Sequence, residues 1–270
     1  MKKRIISGII FILLIMVIMF TNNPLIDTTL VVILSLLGIY EYNKAFKNVG
    51  HHPISWVGYL GCFGIYFMGG MVSDLDKLLL IKTILPILIV SIFIYIIITK
   101  LKRNIIDVAI TILSLAYIPF MFSFIKLMLM MDNGRLLIWY VLMAAFASDT
   151  FAYFVGSKYG KHKLCPEISP KKTIEGSIAG VIGVIVMFTI ITFIGNTYYE
   201  LNMNIWYIIV VGIVASIAGQ FGDLSASSIK RYCKIKDFGD LIPGHGGILD
   251  RFDSILFASP IIYIFLKLYM

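Results

Sequence analysis

Long apolar runs occupy most of the chain, and short clusters of Lys, Asp, Gly, Pro or Asn separate them. A membrane-spanning helix needs about 20 apolar residues, so runs of this length predict transmembrane helices. The fifth run contains Pro119 and is long enough to be tilted, kinked or split. The pattern therefore predicts an all-α polytopic integral membrane protein with about nine transmembrane helices. The predicted spans lie near residues 5–20, 28–42, 54–72, 78–99, 105–131, 136–155, 174–194, 205–226 and 254–269.

The composition agrees with a chain that is embedded in a membrane. Of the 270 residues, 59% are hydrophobic and 14% are charged, whereas a soluble domain is roughly 45–50% apolar and about 25% charged. The spans leave no room for an added soluble domain of ordinary size, so we expect one membrane domain over residues 1–270. The three cysteines form no CxxC pair, which predicts neither a disulfide framework nor a zinc site.

The positive charges lie on alternate connections between the spans. Of the 23 Lys and Arg residues, 18 precede the first span or follow an even-numbered one, whereas Lys77 and Arg135 lie on opposite connections. Cytoplasmic connections are rich in Lys and Arg, so we predict a multi-pass protein of the cell membrane with its N-terminus in the cytoplasm and its C-terminus outside. The run at 5–20 resembles a secretory signal but lacks a small-residue cleavage site, so we interpret it as the first membrane helix.

The net charge of +8 raises the question of the binding partner. A nucleic-acid-binding protein would gather its basic residues on one face or patch, but here they lie in short segments between apolar runs. We therefore predict anionic lipid headgroups and phosphorylated substrates as partners, and no nucleic acid.

Two of the basic connections, with the span ends beside them, also carry acids and glycines; they cover residues 147–180 and 220–253. An acid within a span costs about 2.5–3.5 kcal/mol, so Asp149 and Asp223, which each follow a long and largely apolar run, require an explanation. One explanation is that each carboxylate pairs with a nearby lysine or reaches the membrane surface. The other is that the carboxylates bind a metal ion.

The spacing of further oxygen ligands favours a metal. Ser227 follows Asp223 by one helical turn, and Asp250 and Asp253 open the last span three residues apart. Several hard oxygen ligands at one membrane surface suit Mg²⁺, which binds through one or two carboxylates plus substrate phosphates. We predict a Mg²⁺ site at Asp223 and Asp250, with Asp149, Asp253 and Ser227 as additional candidates. Whether a second cation completes the site stays open.

Residues 239–247 contain four glycines, whose backbone N–H groups can close around phosphate oxygens. An ordinary flexible turn is the alternative interpretation, but the surrounding Lys and Arg residues suit a polyphosphate. A solvated or lipid-facing role remains the alternative for each basic residue. The predicted phosphate ligands are Lys171, Lys172, Lys236, Arg251, Gly246 and Gly247.

The second of these segments resembles the signature of phosphatidate cytidylyltransferases, also called CDP-diglyceride synthases. The pattern is Ser-x-apolar-Lys-Arg, four residues, Lys-Asp-x-Gly, then Pro-x-His-Gly-Gly-x-x-Asp-Arg-x-Asp. Its fixed positions are Ser227, Ile229, Lys230, Arg231, Lys236, Asp237, Gly239, Pro243, His245, Gly246, Gly247, Asp250, Arg251 and Asp253. The resemblance covers roughly residues 147–253, whereas 1–140 match only as hydrophobic spans. We therefore expect the catalytic helices and loops within 141–270.

This resemblance implies an enzyme at the cytoplasmic face that joins CTP to phosphatidic acid, giving CDP-diacylglycerol and pyrophosphate for phospholipid biosynthesis. Asp223 and Asp250 would be the metal ligands, and Lys230 and Arg231 would contact phosphate. His245 would donate a hydrogen bond to phosphate, because a phosphate monoester is already largely ionised at pH 7 and needs no general base. A homodimer is an open possibility.

Two other classes of membrane protein compete with this interpretation. A transporter would place its charged site near the bilayer midplane and is often built from repeats, whereas here the charged motifs lie at the ends of spans and no repeat is evident. A CDP-alcohol phosphatidyltransferase would carry an Asp-Gly-x-x-Ala-Arg motif, which the sequence lacks. Both alternatives are disfavoured.

Overall fold

The structure is a computed structural model, and it describes residues 21, 23–71, 90, 92–99, 104–241 and 246–269. Helices make up most of these residues, with one small hairpin of two strands. A further helical stretch covers 92–98. The elements are α1 (Pro24–Lys47), α2 (Ser55–Met71), α3 (Ile105–Tyr117), α4 (Pro119–Leu129), α5 (Gly134–Tyr159), β1 (Lys163–Cys165), β2 (Ser169–Thr173), α6 (Ile174–Tyr198), α7 (Ile205–Tyr232) and α8 (Leu249–Tyr269).

Six helical segments in this part of the chain are long and apolar enough to cross a membrane, which confirms a multi-pass helical architecture. They are Pro24–Lys47, Ile105–Leu129, Gly134–Tyr159, Ile174–Tyr198, Ile205–Tyr232 and Leu249–Tyr269. The predicted span at 54–72 corresponds to the shorter helix α2, of 17 residues. The predicted span at 5–20 and most of that at 78–99 lie outside the described residues, so the count of nine stays a prediction.

The fifth predicted span is split into two helices. Helix α3 ends at Tyr117 and α4 begins at Pro119, so Ile118 separates them. Proline has no backbone N–H and its ring clashes with the carbonyl one turn earlier, so it ends one helix and is well placed to start the next. Of the three outcomes that the sequence left open for this span, the structure selects the split.

Side-chain caps begin several of the helices. Asn23 accepts a hydrogen bond from the Leu25 amide at the start of α1, at 2.9 Å. Thr173 caps α6 by accepting from the Gly176 amide, and Asn204 caps α7 by accepting from Trp206. Asn and Thr are favoured at such positions because they satisfy amides that have no partner within the helix. The helix starts are therefore encoded locally.

Both motif segments contain more regular structure than the sequence predicts. Helix α5 continues to Tyr159 and α7 to Tyr232, while α8 begins at Leu249, so the predicted loops at 156–173 and 227–253 are shortened. Basic residues in the last turn of α7 and Asp250 in the first turn of α8 suit the helix dipoles, which explains the longer helices. Strands β1 and β2 form an antiparallel hairpin that the all-α prediction omitted.

Side-chain contacts gather the basic connections at one end of the bundle. Between α1 and α2, His51 Nε2 lies 2.8 Å from the Tyr232 hydroxyl at the end of α7, and the two rings stack. The next residue, His52, donates its amide to Asp107 in the first turn of α3. Arg231 donates its Nε to the Ile168 carbonyl between the strands of the hairpin. We call this end, which holds residues 48–54, 160–173, 233–241 and 246–248, the basic end.

The opposite end is tied by an ion pair that sequence reasoning missed. The sequence places Arg135 on an exposed connection, but it lies in the first turn of α5. Its guanidinium nitrogens donate to both carboxylate oxygens of Asp27 near the start of α1, at 2.9 and 2.5 Å. The side chain of Asp27 is only 5% exposed. The pair therefore joins α1 to α5 and shields the acid from the apolar surroundings.

Replacing Arg135 is expected to destabilise the protein without touching the basic end. Arg135→Ala leaves a buried carboxylate without its partner, which costs about 3 kcal/mol. The matched control is Lys267→Ala, at an exposed position near the end of α8, where a substitution should change stability by less than about 0.5 kcal/mol. Thermal melting of the two variants in detergent checks this, and equal melting temperatures would contradict the proposed role of the ion pair.

Candidate active site

The predicted site residues come from four parts of the fold. Helix α5 carries Asp149, strand β2 carries Lys171 and Lys172, and the second half of α7 carries Asp223, Ser227, Lys230 and Arg231. Residues 233–241, residues 246–248 and the start of α8 supply the others that the structure describes. Because α5 and α7 end at the basic end and α8 begins there, residues far apart in sequence meet near this surface.

Asp250 organises the segment that precedes α8. Its Oδ1 accepts a hydrogen bond from Lys230 Nζ at 2.7 Å, and its Oδ2 accepts from the amides of Phe238 and Gly247 at 2.7 and 2.9 Å. The carboxylate side chain is 3% exposed and that of Lys230 is 11% exposed. Each oxygen of a carboxylate can accept more than one hydrogen bond, so one side chain fixes α7, residue 238 and residue 247 relative to each other.

Asp223 forms the second ion pair of the site. Its Oδ2 pairs with Lys172 Nζ, and the two side chains are 25% and 27% exposed. The contact ties the last residues of the hairpin to α7. In contrast to the buried pair of Lys230 and Asp250, this pair is partly open to solvent.

Two more acids complete a group of interacting carboxylates. Asp149 on α5 interacts electrostatically with Asp223, and both Lys172 and Arg251 offset its charge. Asp253 on α8 is buried; it interacts with Asp223 and Asp149, and Lys230 offsets its charge. Carboxyl groups from three helices therefore lie close enough to interact, and a cation beside them favours their charged forms.

A cavity of about 490 Å³ lies beside Asp149 and Lys172. Residues from α5, both strands, α6 and α7 line it. Asp149 is exposed and lines this cavity. The polar and charged lining residues are Ser148, Asp149, Tyr153, Ser157, Lys171, Lys172, Thr173, Ser177 and Gln220. A cavity of this size falls in the range of small-molecule sites.

The other predicted residues occupy different positions. Ser227 is buried one turn after Asp223, while Lys171 is exposed at the cavity. Arg231 and Lys236 are exposed at the surface of the basic end. Gly246 is half-buried with a φ of 85°, a conformation that favours glycine. His245 lies outside the described residues, so its role stays a prediction.

The signature glycines Gly239, Gly246 and Gly247 contact carboxylates of the protein itself. The Gly247 amide already donates to Asp250, so it is not free for a phosphate in this arrangement. A Cβ at Gly246 would lie 2.9 Å from Asp250 Oδ2, and one at Gly239 would lie 2.8 Å from Glu41 Oε1. These glycines therefore let two carboxylates approach the backbone closely.

Glu41 is the contact that sequence reasoning missed. It lies on α1 and is 1% exposed, and its two oxygens accept from the amides of Ile248 and Leu249 at 2.9 Å each. One signal pointed to it, because an acid inside an apolar span requires an explanation. That argument was applied to Asp149 and Asp223 but not to α1.

The donor set can be compared with the needs of a metal ion. Within the described residues, no group of three or more His, Cys, Asp or Glu side chains is arranged to hold a metal. Asp223 and Asp250 each face a lysine ammonium, so each accommodates a cation at its carboxylate. Their hard oxygen donors match the preference of Mg²⁺. The oxygen chemistry of these residues fits this ion, while the pairing of Asp223 with Lys172 is also the alternative that the sequence left open.

The cysteines take no part in the site. Within the described residues all three are free thiols, and Cys62 and Cys233 are buried. Burial raises the pKa of Cys233, which directly follows α7, to about 11, so the thiol stays protonated and unreactive at neutral pH.

Comparison of the sequence with known proteins identifies the family of this chain. The model of the cytidylyltransferase family matches residues 2–269. Over 172 residues the chain is 40% identical to a phosphatidate cytidylyltransferase of Staphylococcus haemolyticus, and over 173 residues it is 40% identical to one of Staphylococcus aureus. Each match covers 64% of this chain and 64% of the relative, slightly less than two thirds of its length. The family resemblance is confirmed, and the chain belongs to the cytidylyltransferase family.

Proposed function

We propose that this protein is a phosphatidate cytidylyltransferase, which transfers the cytidylyl group of CTP to phosphatidic acid and releases pyrophosphate. One observation carries the proposal: in a chain of this family, the two predicted metal ligands Asp223 and Asp250 each pair with a lysine at the basic end. Relatives of the same family are named for this reaction. CTP and phosphatidic acid are both anionic, and they need such a cation-rich surface.

The reaction needs charge control more than a base. A phosphate oxygen of phosphatidic acid attacks the α-phosphorus of CTP, and the bond from that phosphorus to the oxygen of the leaving pyrophosphate breaks. A phosphate monoester has a second pKa of about 6, so its oxygen is already ionised at pH 7. The remaining barrier comes from bringing two anions together and from the charge that grows on pyrophosphate.

Lysine side chains at the site supply part of this charge control. Lys172 is half-exposed and lies at the cavity, so its ammonium can leave Asp223 for a phosphate oxygen. Lys230 stays with Asp250 and holds positive charge at the start of α8. Arg251, which offsets the charge of Asp149, faces the same region. These residues orient and neutralise the two substrates.

Mg²⁺ would be held by Asp223 and Asp250, with Asp149, Asp253 and Ser227 as additional candidate ligands. When bound, the ion neutralises the phosphate oxygens of the nucleotide. The observation that supports it is that both carboxylates already face cations in the form of lysine ammoniums. A second cation would serve the crowded group of Asp149, Asp223 and Asp253.

The basic end is proposed to face the cytoplasm of a bacterial cell, with the protein in the plasma membrane. The contacts that gather residues 48–54, 160–173 and 233–241 support this, because Lys and Arg are enriched on cytoplasmic connections. CTP then enters from the cytoplasm, and phosphatidic acid keeps its acyl chains in the bilayer. Nine spans and a homodimer belong to the same proposal.

Cysteine labelling of intact cells is expected to confirm this orientation. In a variant without the three native cysteines, a cysteine at exposed position 163 or 234 should resist a thiol reagent that cannot cross the membrane. The matched control is a cysteine at position 202, which is exposed between α6 and α7 at the other end and should react. Labelling at 163 and 234 but not at 202 would reverse the orientation.

Product analysis tests the function itself. Purified protein supplied with phosphatidic acid, CTP and Mg²⁺ should form CDP-diacylglycerol and pyrophosphate in equal amounts, and omission of any of the three should stop the reaction. Diacylglycerol, which lacks the attacking phosphate, is the matched control substrate and should give no product. A protein that binds CTP but releases no pyrophosphate with phosphatidic acid would contradict the proposal.

A further inference from the structure

The carboxylate of Glu41 reaches across the fold to the start of α8. Its two oxygens accept hydrogen bonds from the amides of Ile248 and Leu249, 207 and 208 residues away in sequence. The side chain is buried, and α1 continues for six residues beyond it to Lys47. At about 1.5 Å per helical residue, Glu41 therefore lies roughly 9 Å inside the end of α1. An acid at this depth is retained only when its partners are well placed.

Glu41 and Asp250 together hold one turn of backbone. The amides of Gly247, Ile248 and Leu249 follow each other along the chain, and the first donates to Asp250 while the next two donate to Glu41. The first amides of a helix lack partners within the helix and carry partial positive charge, so carboxylates stabilise them. Glu41 thus caps α8 from a different helix, and Asp250 caps it from within.

The glycines beside Glu41 show how closely the two parts are fitted. A Cβ at Gly239 would lie 2.8 Å from Glu41 Oε1, and a Cβ at Gly247 would overlap the same carboxylate. Both glycines belong to the signature segment, so the segment has the shape that the Glu41 side chain requires. The contact is built from both sides, by an acid on α1 and by small residues before α8.

We propose that Glu41 is a positioning residue, which holds the turn at 246–249 so that the Asp250 carboxylate keeps its geometry toward Lys230 and the rest of the site. The catalytic readout of this proposal rests on the proposed function. A displacement of about 1 Å at reacting groups can lower a rate about 100-fold. Loss of Glu41 should therefore lower kcat and leave KM for CTP nearly unchanged, because the exposed basic residues that attract CTP stay in place.

Asp107 provides a matched control for Glu41. It is also buried in a helix of the N-terminal half, and it also accepts two backbone amides, from His52 at 2.6 Å and from Asn104 at 3.0 Å. It holds the start of α3 and has no contact with the start of α8 among the described hydrogen bonds. Glu41→Gln and Asp107→Asn are therefore equivalent losses of a capping carboxylate, and only one of them affects the turn at 246–249.

Glu41→Gln is expected to lower kcat at least tenfold, with KM for CTP within about twofold of the wild type. Asp107→Asn should keep kcat within about twofold of the wild type, even if its melting temperature falls as much as that of Glu41→Gln. Glu41→Asp keeps the charge but shortens the reach, and should give an intermediate kcat. A parallel loss of kcat and of melting temperature in all three variants would overturn the proposal, because Glu41 would then act on stability alone.

Hydrogen exchange separates this proposal from the proposed function, because it needs no activity. In Glu41→Gln, the amides of Ile248 and Leu249 should exchange at least tenfold faster than in the wild type, and in Asp107→Asn they should not change. Unchanged exchange in Glu41→Gln would overturn the positioning role. If the wild-type protein makes no CDP-diacylglycerol but exchange is still faster in Glu41→Gln, the contact is upheld and the proposed function is rejected.

Discussion

Asp223→Asn is expected to lower turnover by about 10²- to 10³-fold, and Asp250→Asn by at least as much. Each change replaces an ionised oxygen ligand by a neutral group of nearly the same shape. Asp223 is the cleaner case, since its ion pair with Lys172 is half-exposed and contributes little to stability. Asp250 also holds the amides of Phe238 and Gly247, so its replacement removes charge and loosens the turn together.

The matched control for both variants is Asp132→Asn, which changes an exposed acid in the turn between α4 and α5. It should keep full turnover and the same melting temperature. Steady-state assays with saturating CTP and phosphatidic acid give the comparison. If both Asp223→Asn and Asp250→Asn turn over at near the wild-type rate, the proposed carboxylate site is wrong.

Replacing Lys230 is expected to lower both stability and turnover, whereas replacing Lys172 is expected to lower turnover alone. Lys230→Met removes the partner of a carboxylate that is 3% exposed, so it should destabilise the protein and lower turnover by about 100-fold. Lys172→Met removes a partner that is half-exposed, so turnover should fall while the melting temperature stays within a few degrees of the wild type. Methionine keeps the length of both side chains and removes only the ammonium.

Lys47→Met, at the exposed end of α1, is the control for these variants and should leave both quantities unchanged. Melting curves in detergent and initial rates measure the two effects on the same preparations. The account is contradicted if Lys172→Met and Lys230→Met behave alike in both measurements, since the difference in burial would then have no consequence.

The sequence predicted much of the helical architecture, because the features that produce it are local. Apolar runs marked the described spans, and Pro119 indicated the break between α3 and α4. The same locality explains the errors at the helix ends. Lys230 lies on α7 although its charge suggested a loop, because a helix continues past the apolar region when its last turn carries suitable charge.

The sequence also predicted which residues come together, although not how each is used. Asp149, Asp223 and Asp253 interact electrostatically, Lys172 pairs with Asp223, and Lys230 pairs with Asp250. The signature segment was interpreted as a phosphate loop, and its metal and phosphate roles stay predictions. Part of its backbone instead donates hydrogen bonds to the carboxylates of Glu41 and Asp250. Residue spacing could not predict this, because hydrogen bonds between distant parts of the chain leave no periodic pattern.

Glu41 shows the same limit most clearly. The N-terminal half resembles the family only as hydrophobic spans, yet one of its side chains contacts the start of α8 over 207 residues of sequence. The cost of burying an acid gave a reason to look at it, but no local rule names the partner. The hairpin at 163–173 was missed for a different reason, because its strands are too short for an alternating pattern to be recognised.

The destination of the phosphates of CTP tests the central claim most directly. Purified protein is incubated with phosphatidic acid, Mg²⁺ and CTP that carries one radiolabel on the α-phosphorus and another on the γ-phosphorus. The account predicts that the α label enters the lipid in proportion to the phosphatidic acid consumed, and that the γ label leaves entirely as pyrophosphate. Recovery of the γ label in the lipid would show transfer of a phosphoryl group instead, and would contradict cytidylyl transfer.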